Sequence, residues 1–122
     1  MSVAVSLEGL GEQLARFGSW PYAVTVSTDG RPHAVSVEMA WDGSVFQGTA
    51  GRGTLANAGA RPDAVTFLWP PYEPGGYSLI VDGTADLGTG DLIAVHPVRA
   101  VLHRVASASP DLPSCIKLEP TD

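Results

Sequence analysis

Glycine and proline interrupt this chain so often that it cannot fold as a bundle of long helices. Its 122 residues include 14 glycines and 10 prolines, and both residue types destabilise the interior of a helix. A hydrophobic fraction of 44% against 16% charged residues is typical of a chain with a packed core rather than a disordered one. The length corresponds to one domain. These features predict a single domain built mainly from strands.

The N-terminal region carries the clearest helical pattern. Between Leu7 and Phe17 the apolar residues recur at spacings of 3, 4 and 3 residues, which places them on one face of a helix. Ser6 precedes this stretch as a candidate N-cap, and Gly18 follows it as a stop signal. The pattern predicts a helix over residues 7–17.

From Trp20 onward the apolar residues alternate with small and polar ones, which is the pattern of β-strands. Asp29-Gly30 and Asp42-Gly43 mark two tight hairpin turns, so the first three strands are predicted to form an antiparallel meander. Gly83 predicts a bulge or a close backbone approach, and Pro97 a bend or an edge. The six predicted strands lie at about residues 22–27, 34–39, 45–49, 64–69, 77–87 and 93–105.

A short second helix is predicted between the third and fourth strands. Residues 49–62 read TAGRGTLANAGARP, and the helix is expected over about 54–60, capped by Gly53 or Thr54. Residues 107–122 contain three prolines and no periodicity, so we expect an extended or disordered tail that is dispensable for folding. The expected architecture is a six-stranded antiparallel barrel over residues 1–106, because closure removes exposed sheet edges.

The composition also argues against several classes of function. The net charge of −6 disfavours binding to duplex or single-stranded nucleic acid. No apolar run approaches the ~20 residues of a membrane span, and no signal peptide is expected, so the predicted location is cytoplasmic. The one cysteine, Cys115, and three scattered histidines predict neither a disulfide nor a metal site. No motif marks a catalytic nucleophile, so the catalytic residues stay unknown.

The middle of the chain resembles a known family. Residues 60–87 read ARPDAVTFLWPPYEPGGYSLIVDGTADL. The end of a helix at Arg61-Pro62, a strand closing on Trp69, a proline loop and the run from Val81 to Ala85 resemble the pyridoxamine 5′-phosphate oxidase family. Upstream, Asp29-Gly30-x-Pro32 also fits, and the resemblance covers about residues 7–105. It implies a flavin-type split β-barrel, usually a homodimer, that binds FMN, the deazaflavin F420, heme or no cofactor.

The resemblance also implies where a cofactor would lie. The family binds the cofactor phosphate where the third strand ends and the middle helix begins, at helix amides and basic side chains. The corresponding phosphate segment here is Thr49, Ala50, Gly51, Arg52, Gly53, Thr54 and Asn57, and the residues expected beside the ring system are Ser36, Val37 and Glu38. Trp69 and Tyr72 are expected to cover the ring or to form a subunit contact. His33 is interpreted either as a neighbour of the cofactor or as a surface residue.

Two functional hypotheses follow from this resemblance. The first is a flavin- or deazaflavin-dependent oxidoreductase acting on a small redox substrate that the sequence does not identify. The second is a non-catalytic split barrel, either a cofactor carrier or sensor or a member that has lost its cofactor. The second stays open because Arg52 stands alone where family members that bind FMN tightly carry Ser-Arg-Lys and further basic residues. The acidic, proline-rich C-terminal end argues against pyridoxamine-phosphate oxidase activity itself.

Overall fold

The computed structural model describes residues 6–105 and the backbone of one strand at residues 115–118. Described strands pair with their neighbours in an antiparallel sense, which confirms the predicted mainly-β fold with an N-terminal and a middle helix. A 3-10 turn at Leu7–Gly9 precedes α1 (Leu10–Phe17), β1 (Tyr22–Val26), β2 (Pro32–Ser36), β3 (Met39–Trp41), β4 (Phe46–Thr49), α2 (Arg52–Ala60), β5 (Val65–Trp69), β6 (Ser78–Leu87), β7 (Leu92–His103) and β8 (Cys115–Leu118).

The antiparallel sheet is curled, and its first and last strands are consecutive in the chain. Its strand order is β2-β1-β5-β6-β7-β4-β3, so the sheet begins and ends with strands that only Val37 and Glu38 separate in the chain. The N–H groups of Val37 and Met39 donate to the carbonyls of Pro21 and Ser19 at 3.0 and 2.9 Å, which extends the β1–β2 pairing past this junction. The predicted second strand is therefore divided in two, and its halves pair with different neighbours.

The two predicted turns join the strands as expected. Gly30 and Gly43 both have positive φ, of 86° and 101°, a conformation that favours glycine. In the first turn the N–H of Ser27 donates to the carbonyl of Arg31 at 2.9 Å, so the loop has three residues, whereas Asp29-Gly30 is typical of a two-residue turn. The carboxylate of Asp42 opens the second turn and accepts hydrogen bonds from backbone N–H groups, which lowers the pKa of Asp42.

Aromatic side chains form the centre of the core. Phe46 is fully buried, and its ring centroid lies 4.7 Å from that of Trp41, 5.2 Å from that of Phe67 and 5.7 Å from that of Trp69. The indole Nε1 of Trp69 donates to the carbonyl of Gly18 at 2.9 Å. This bond ties the end of β5 to the end of α1, so the N-terminal helix covers the core.

Gly83 lies at a bulge between β6 and β7, as predicted. The register of the two strands shifts there, and Gly83 pairs with Pro97 while Val98 is skipped. A β-carbon on Gly83 would lie 2.6 Å from Cγ1 of Val95 and 2.8 Å from the carbonyl oxygen of His96. Only a glycine fits this close approach of the two strands.

Two elements differ from their predicted extent. The middle helix begins at Arg52, two residues before the predicted start, and its N-cap is Gly51 instead of Gly53 or Thr54. Within the predicted tail, residues 115–118 form β8, which pairs with β7 beside Ala100–His103. The rest of the tail lies outside the described residues. Among the described helices, none is long and apolar enough to cross a membrane.

Candidate functional site

A groove of about 630 Å³ runs between β2, the start of α2 and the β6–β7 turn. It brings together two segments that are distant in the sequence, the end of β2 and the loop after β4. The N–H of Ala50 donates to the carbonyl of Asp91 at 3.0 Å, which fixes that loop against the β6–β7 turn. The predicted cofactor residues that line the groove are Ser36, Val37, Glu38, Thr49, Ala50, Gly51, Gly53 and Thr54.

Three predicted cofactor residues do not line this groove. Trp69 is 1% exposed in the core, where no ligand reaches its ring. Asn57 donates from Nδ2 to Oγ1 of the buried Thr25 at 3.1 Å, so its amide is engaged in packing α2 against β1. Arg52 is the exposed first residue of α2 and lies beside the groove rather than in its wall. Neighbours along a helix or strand point in different directions, which is why only part of each predicted segment lines the groove.

One end of the groove is suited to an anion. The first main-chain bond that closes α2 runs from the N–H of Leu55 to the carbonyl of Gly51, at 3.0 Å. The N–H groups of residues 52–54 therefore have no helical partner, and Gly51 has no side chain to cap them. Free amides and the positive end of the helix dipole are a recurrent binding site for phosphate. Thr49 and Thr54 also line the groove.

The other end of the groove is suited to a planar ring. The indole of Trp20 is 66% exposed and lines the groove together with the apolar side chains of Val35 and Val37. His33 lies against Gly53, beside the N-terminal end of α2. An extended chain covers roughly 13 Å between His33 and Val37. The bond from Val37 to the carbonyl of Pro21 brings Trp20 close to Val37. The free amides and the aromatic surface therefore lie toward opposite ends of this stretch.

The charge of the groove is unusual for an anion site. Its described lining includes two carboxylates, Glu38 and Asp91, and neither lysine nor arginine. Arg52 is the neighbouring cation, and among the described residues no ion pair holds its guanidinium. Backbone amides, not side-chain cations, therefore supply most of the positive potential at this end.

The sequence patterns did not assign four groove residues to a cofactor site, namely Trp20, His33, Val35 and Asp91. Asp91 reaches the groove only through the fold of the β6–β7 turn, and no local pattern could have indicated that. Trp20 marked the start of the alternating pattern, and His33 was interpreted either as a neighbour of the cofactor or as a surface residue. His33 lines the groove and lies against Gly53. The one signal for His33 in the sequence was its position directly after Asp29-Gly30-x-Pro32, which belongs to the family resemblance.

The predicted aromatic lid lies elsewhere. Tyr72 stacks on Phe17 with ring centroids 5.6 Å apart and lines a second cavity of about 490 Å³ between α1, the proline loop and the end of β7. With Trp69 buried in the core, neither predicted lid residue covers the groove of its own subunit. Within residues 6–105, no cluster of three or more histidine, cysteine, aspartate or glutamate side chains could hold a metal ion.

Comparison with known proteins places the chain in a family. No family model matches it. It is 43% identical over 112 residues to uncharacterized proteins of Mycobacterium bovis and Mycobacterium tuberculosis, an alignment that covers 79% of this chain and 77% of each relative. The chain belongs to the family of these mycobacterial proteins.

Solved structures share its fold. An F420 reductase superimposes with a TM-score of 0.58 at 23% identity, over 73% of this chain and 94% of that protein. A Clostridium acetobutylicum protein of the pyridoxinephosphate oxidase family gives 0.65 at 11% identity, over 94% and 96%. A heme-binding protein of Mycobacterium smegmatis gives 0.61 at 14% identity, over 97% and 63%. The chain therefore has the split-barrel fold of pyridoxamine 5′-phosphate oxidase-like proteins.

Proposed function

We propose that this protein is an oxidoreductase that binds a flavin-type cofactor, FMN or F420, in the groove. One observation carries the proposal: a single groove combines an uncapped helix N-terminus with an exposed indole. The split-barrel fold supports it. The cofactor would carry the hydride or electrons, and the protein would bind and orient it.

The two ends of the groove would bind different parts of the cofactor. The amides of residues 52–54, with the hydroxyls of Thr49 and Thr54, would hold the phosphate. Val35, Val37 and Trp20 would support one face of the ring and exclude water from it.

We propose a cytoplasmic homodimer as the working form. Trp20 and Tyr22, on and beside the groove, are 66% and 45% exposed. Aromatic residues left at a surface in this way are typical of subunit interfaces, so a second copy would cover them and complete the groove. Sedimentation at micromolar concentration tests this proposal, and a species of monomer mass alone would contradict it.

A second candidate function has its own observation. The groove wall has no lysine or arginine and two carboxylates among its described residues, which favours a barrel that carries or senses a cofactor without turnover, or one that has lost it. If the purified protein does not bind added FMN or F420, the result would support loss of the cofactor. Tight binding without reduction or oxidation of any tested substrate would support a carrier.

Replacing Arg52 tests the orientation of the cofactor. We expect Arg52→Ala to weaken FMN and F420 by about tenfold, because an exposed guanidinium still contributes a charge-assisted bond of roughly 1.4 kcal/mol. Riboflavin, which has no phosphate, should bind with unchanged affinity. Fluorescence titration measures all three dissociation constants.

The matched control for this titration is Arg61→Ala. Arg61 lies at the opposite end of α2, exposed and hydrogen-bonded from Nη2 to the carbonyl of Thr28. Its replacement should leave the three affinities unchanged. Equal weakening of riboflavin and FMN by Arg52→Ala would show that Arg52 does not face the phosphate. Absence of binding for all three ligands would reject the proposed function.

A further inference from the structure

His33 lies directly against the first turn of α2. It is half-buried on β2, opposite Thr25 of β1. A β-carbon built on Gly53 would lie 3.5 Å from both Cε1 and Nε2 of the imidazole. Because Gly53 has no side chain, the ring packs against the helix backbone at the position where α2 exposes its free amides.

Only one nitrogen of this ring can reach a ligand in the groove. Nδ1 is buried and has no hydrogen-bond partner among the described residues. Nε2 is the atom beside Gly53, and both residues line the groove. A histidine in this arrangement can offer one N–H group, from Nε2, to an anion held by the amides of α2.

We infer that His33 is a second anchor for the anionic end of the cofactor and that its protonation strengthens this grip. The inference rests on the proposed function. A neutral imidazole can donate an ordinary hydrogen bond from Nε2, whereas an imidazolium donates a charge-assisted one, which is roughly twice as strong. Protonation also places an N–H on Nδ1, which is buried and without a partner in the described part of the chain, so it is the anion bound at Nε2 that offsets this cost and draws the proton onto the ring. The imidazolium would also supply the positive charge that the groove wall otherwise lacks.

The other charged groups around His33 do not reproduce this pH dependence. Glu38 and Asp91 line the same groove, and Arg52 begins α2. In the preceding turn Asp29 and Arg31 are exposed and lie 3.9 Å apart. Carboxylates and guanidinium groups ordinarily keep their charge between pH 6 and 8, whereas imidazole changes its charge in that range.

The test compares wild type with His33→Gln at pH 6 and pH 8. Glutamine keeps an N–H donor of similar reach but does not titrate. We expect the ratio of the two proteins' affinities for FMN or F420 to rise by about tenfold from pH 8 to pH 6. Comparing the proteins at the same pH cancels the titration of the ligand phosphate. The ratio for riboflavin should not change, and His96→Gln, at an exposed histidine on β7 that does not line the groove, should follow wild type.

Calorimetry in two buffers of different ionisation enthalpy supplies a second readout. Wild type should take up a fraction of a proton on binding FMN or F420 at pH 7, and His33→Gln should take up less. If the affinity ratio is the same at both pH values, His33 is not the titrating anchor, although the groove remains a cofactor site. If wild type binds none of the three ligands, both proposals fail. His33→Asn repeats the comparison if the glutamine variant does not fold.

Discussion

A structural role and a cofactor-binding role can be separated experimentally at Asn57. Its side-chain amide donates to the hydroxyl of Thr25 at 3.1 Å, and Thr25 is 0% exposed in β1. Replacing Asn57 with alanine leaves that hydroxyl inside the protein without its donor. We therefore expect Asn57→Ala to lower the stability of the fold and to leave the groove unchanged.

The magnitude follows from two opposing contributions. A buried hydroxyl without a partner costs about 2 kcal/mol, and the higher helix propensity of alanine offsets about 0.5 kcal/mol. The free energy of unfolding should fall by about 1.5 kcal/mol, and the Tm by about 5 °C for a domain of this size. Thr25→Val removes the other partner. The double variant should be less destabilised than the sum of the single variants, by about 1 kcal/mol.

Urea denaturation of the four proteins measures this cycle, and fluorescence titration of Asn57→Ala with FMN and F420 measures the groove. The expected result is reduced stability with dissociation constants that match wild type within about twofold at a temperature where both are folded. Unchanged stability with binding weakened tenfold or more would place Asn57 in the ligand site. Strict additivity in the cycle would show that Asn57 and Thr25 do not interact.

Two further predictions concern the barrel itself. Gly83→Ala should lower the free energy of unfolding by about 2–3 kcal/mol, because its β-carbon would lie 2.8 Å from the backbone oxygen of His96. Gly11→Ala, whose β-carbon makes only an ordinary contact in α1, is the control, and equal melting temperatures for the two variants would contradict the close approach. Hydrogen bonds from the turn lower the pKa of Asp42 in the folded state, so its contribution to stability is complete above the unfolded pKa and is lost as the pH falls through the folded value. The stability advantage of wild type over Asp42→Asn should therefore shrink between pH 6 and pH 3 in thermal melts, and a constant difference would refute it.

Local elements of the fold could be predicted because local chemistry determines them. The hydroxyl of Ser6 accepts from the N–H of Gly9 at 3.2 Å, and Gly18 ends α1 with a φ of 86°. Gly30 and Gly43 have the positive φ that their turns require. In each case a few adjacent residues contain both the signal and its consequence, so no distant contact is needed to interpret it.

Interruptions of regular structure were predictable only in part. Gly83 indicated a bulge or a close backbone approach, and the structure has a bulge there. The division of the second strand at Val37 and Glu38 had no such signal, since alternation continues through both residues. It results from closure of the sheet, which makes one extended segment pair first with β1 and then with β4. No window of the sequence contains that information.

The groove shows most clearly which features follow from local sequence and which depend on the tertiary structure. The sequence by itself determined most of the strand segments and the presence of a helix after β4, although that helix begins two residues before its predicted start. Only the tertiary structure decided that Trp20 lines the groove while Trp69 lies in the core, and that His33 and Asp91 join the site. Alternation identifies which residues share a face of a strand, but which face turns inward depends on the strands that pack against it. Those partners are set by the closed path of the whole sheet.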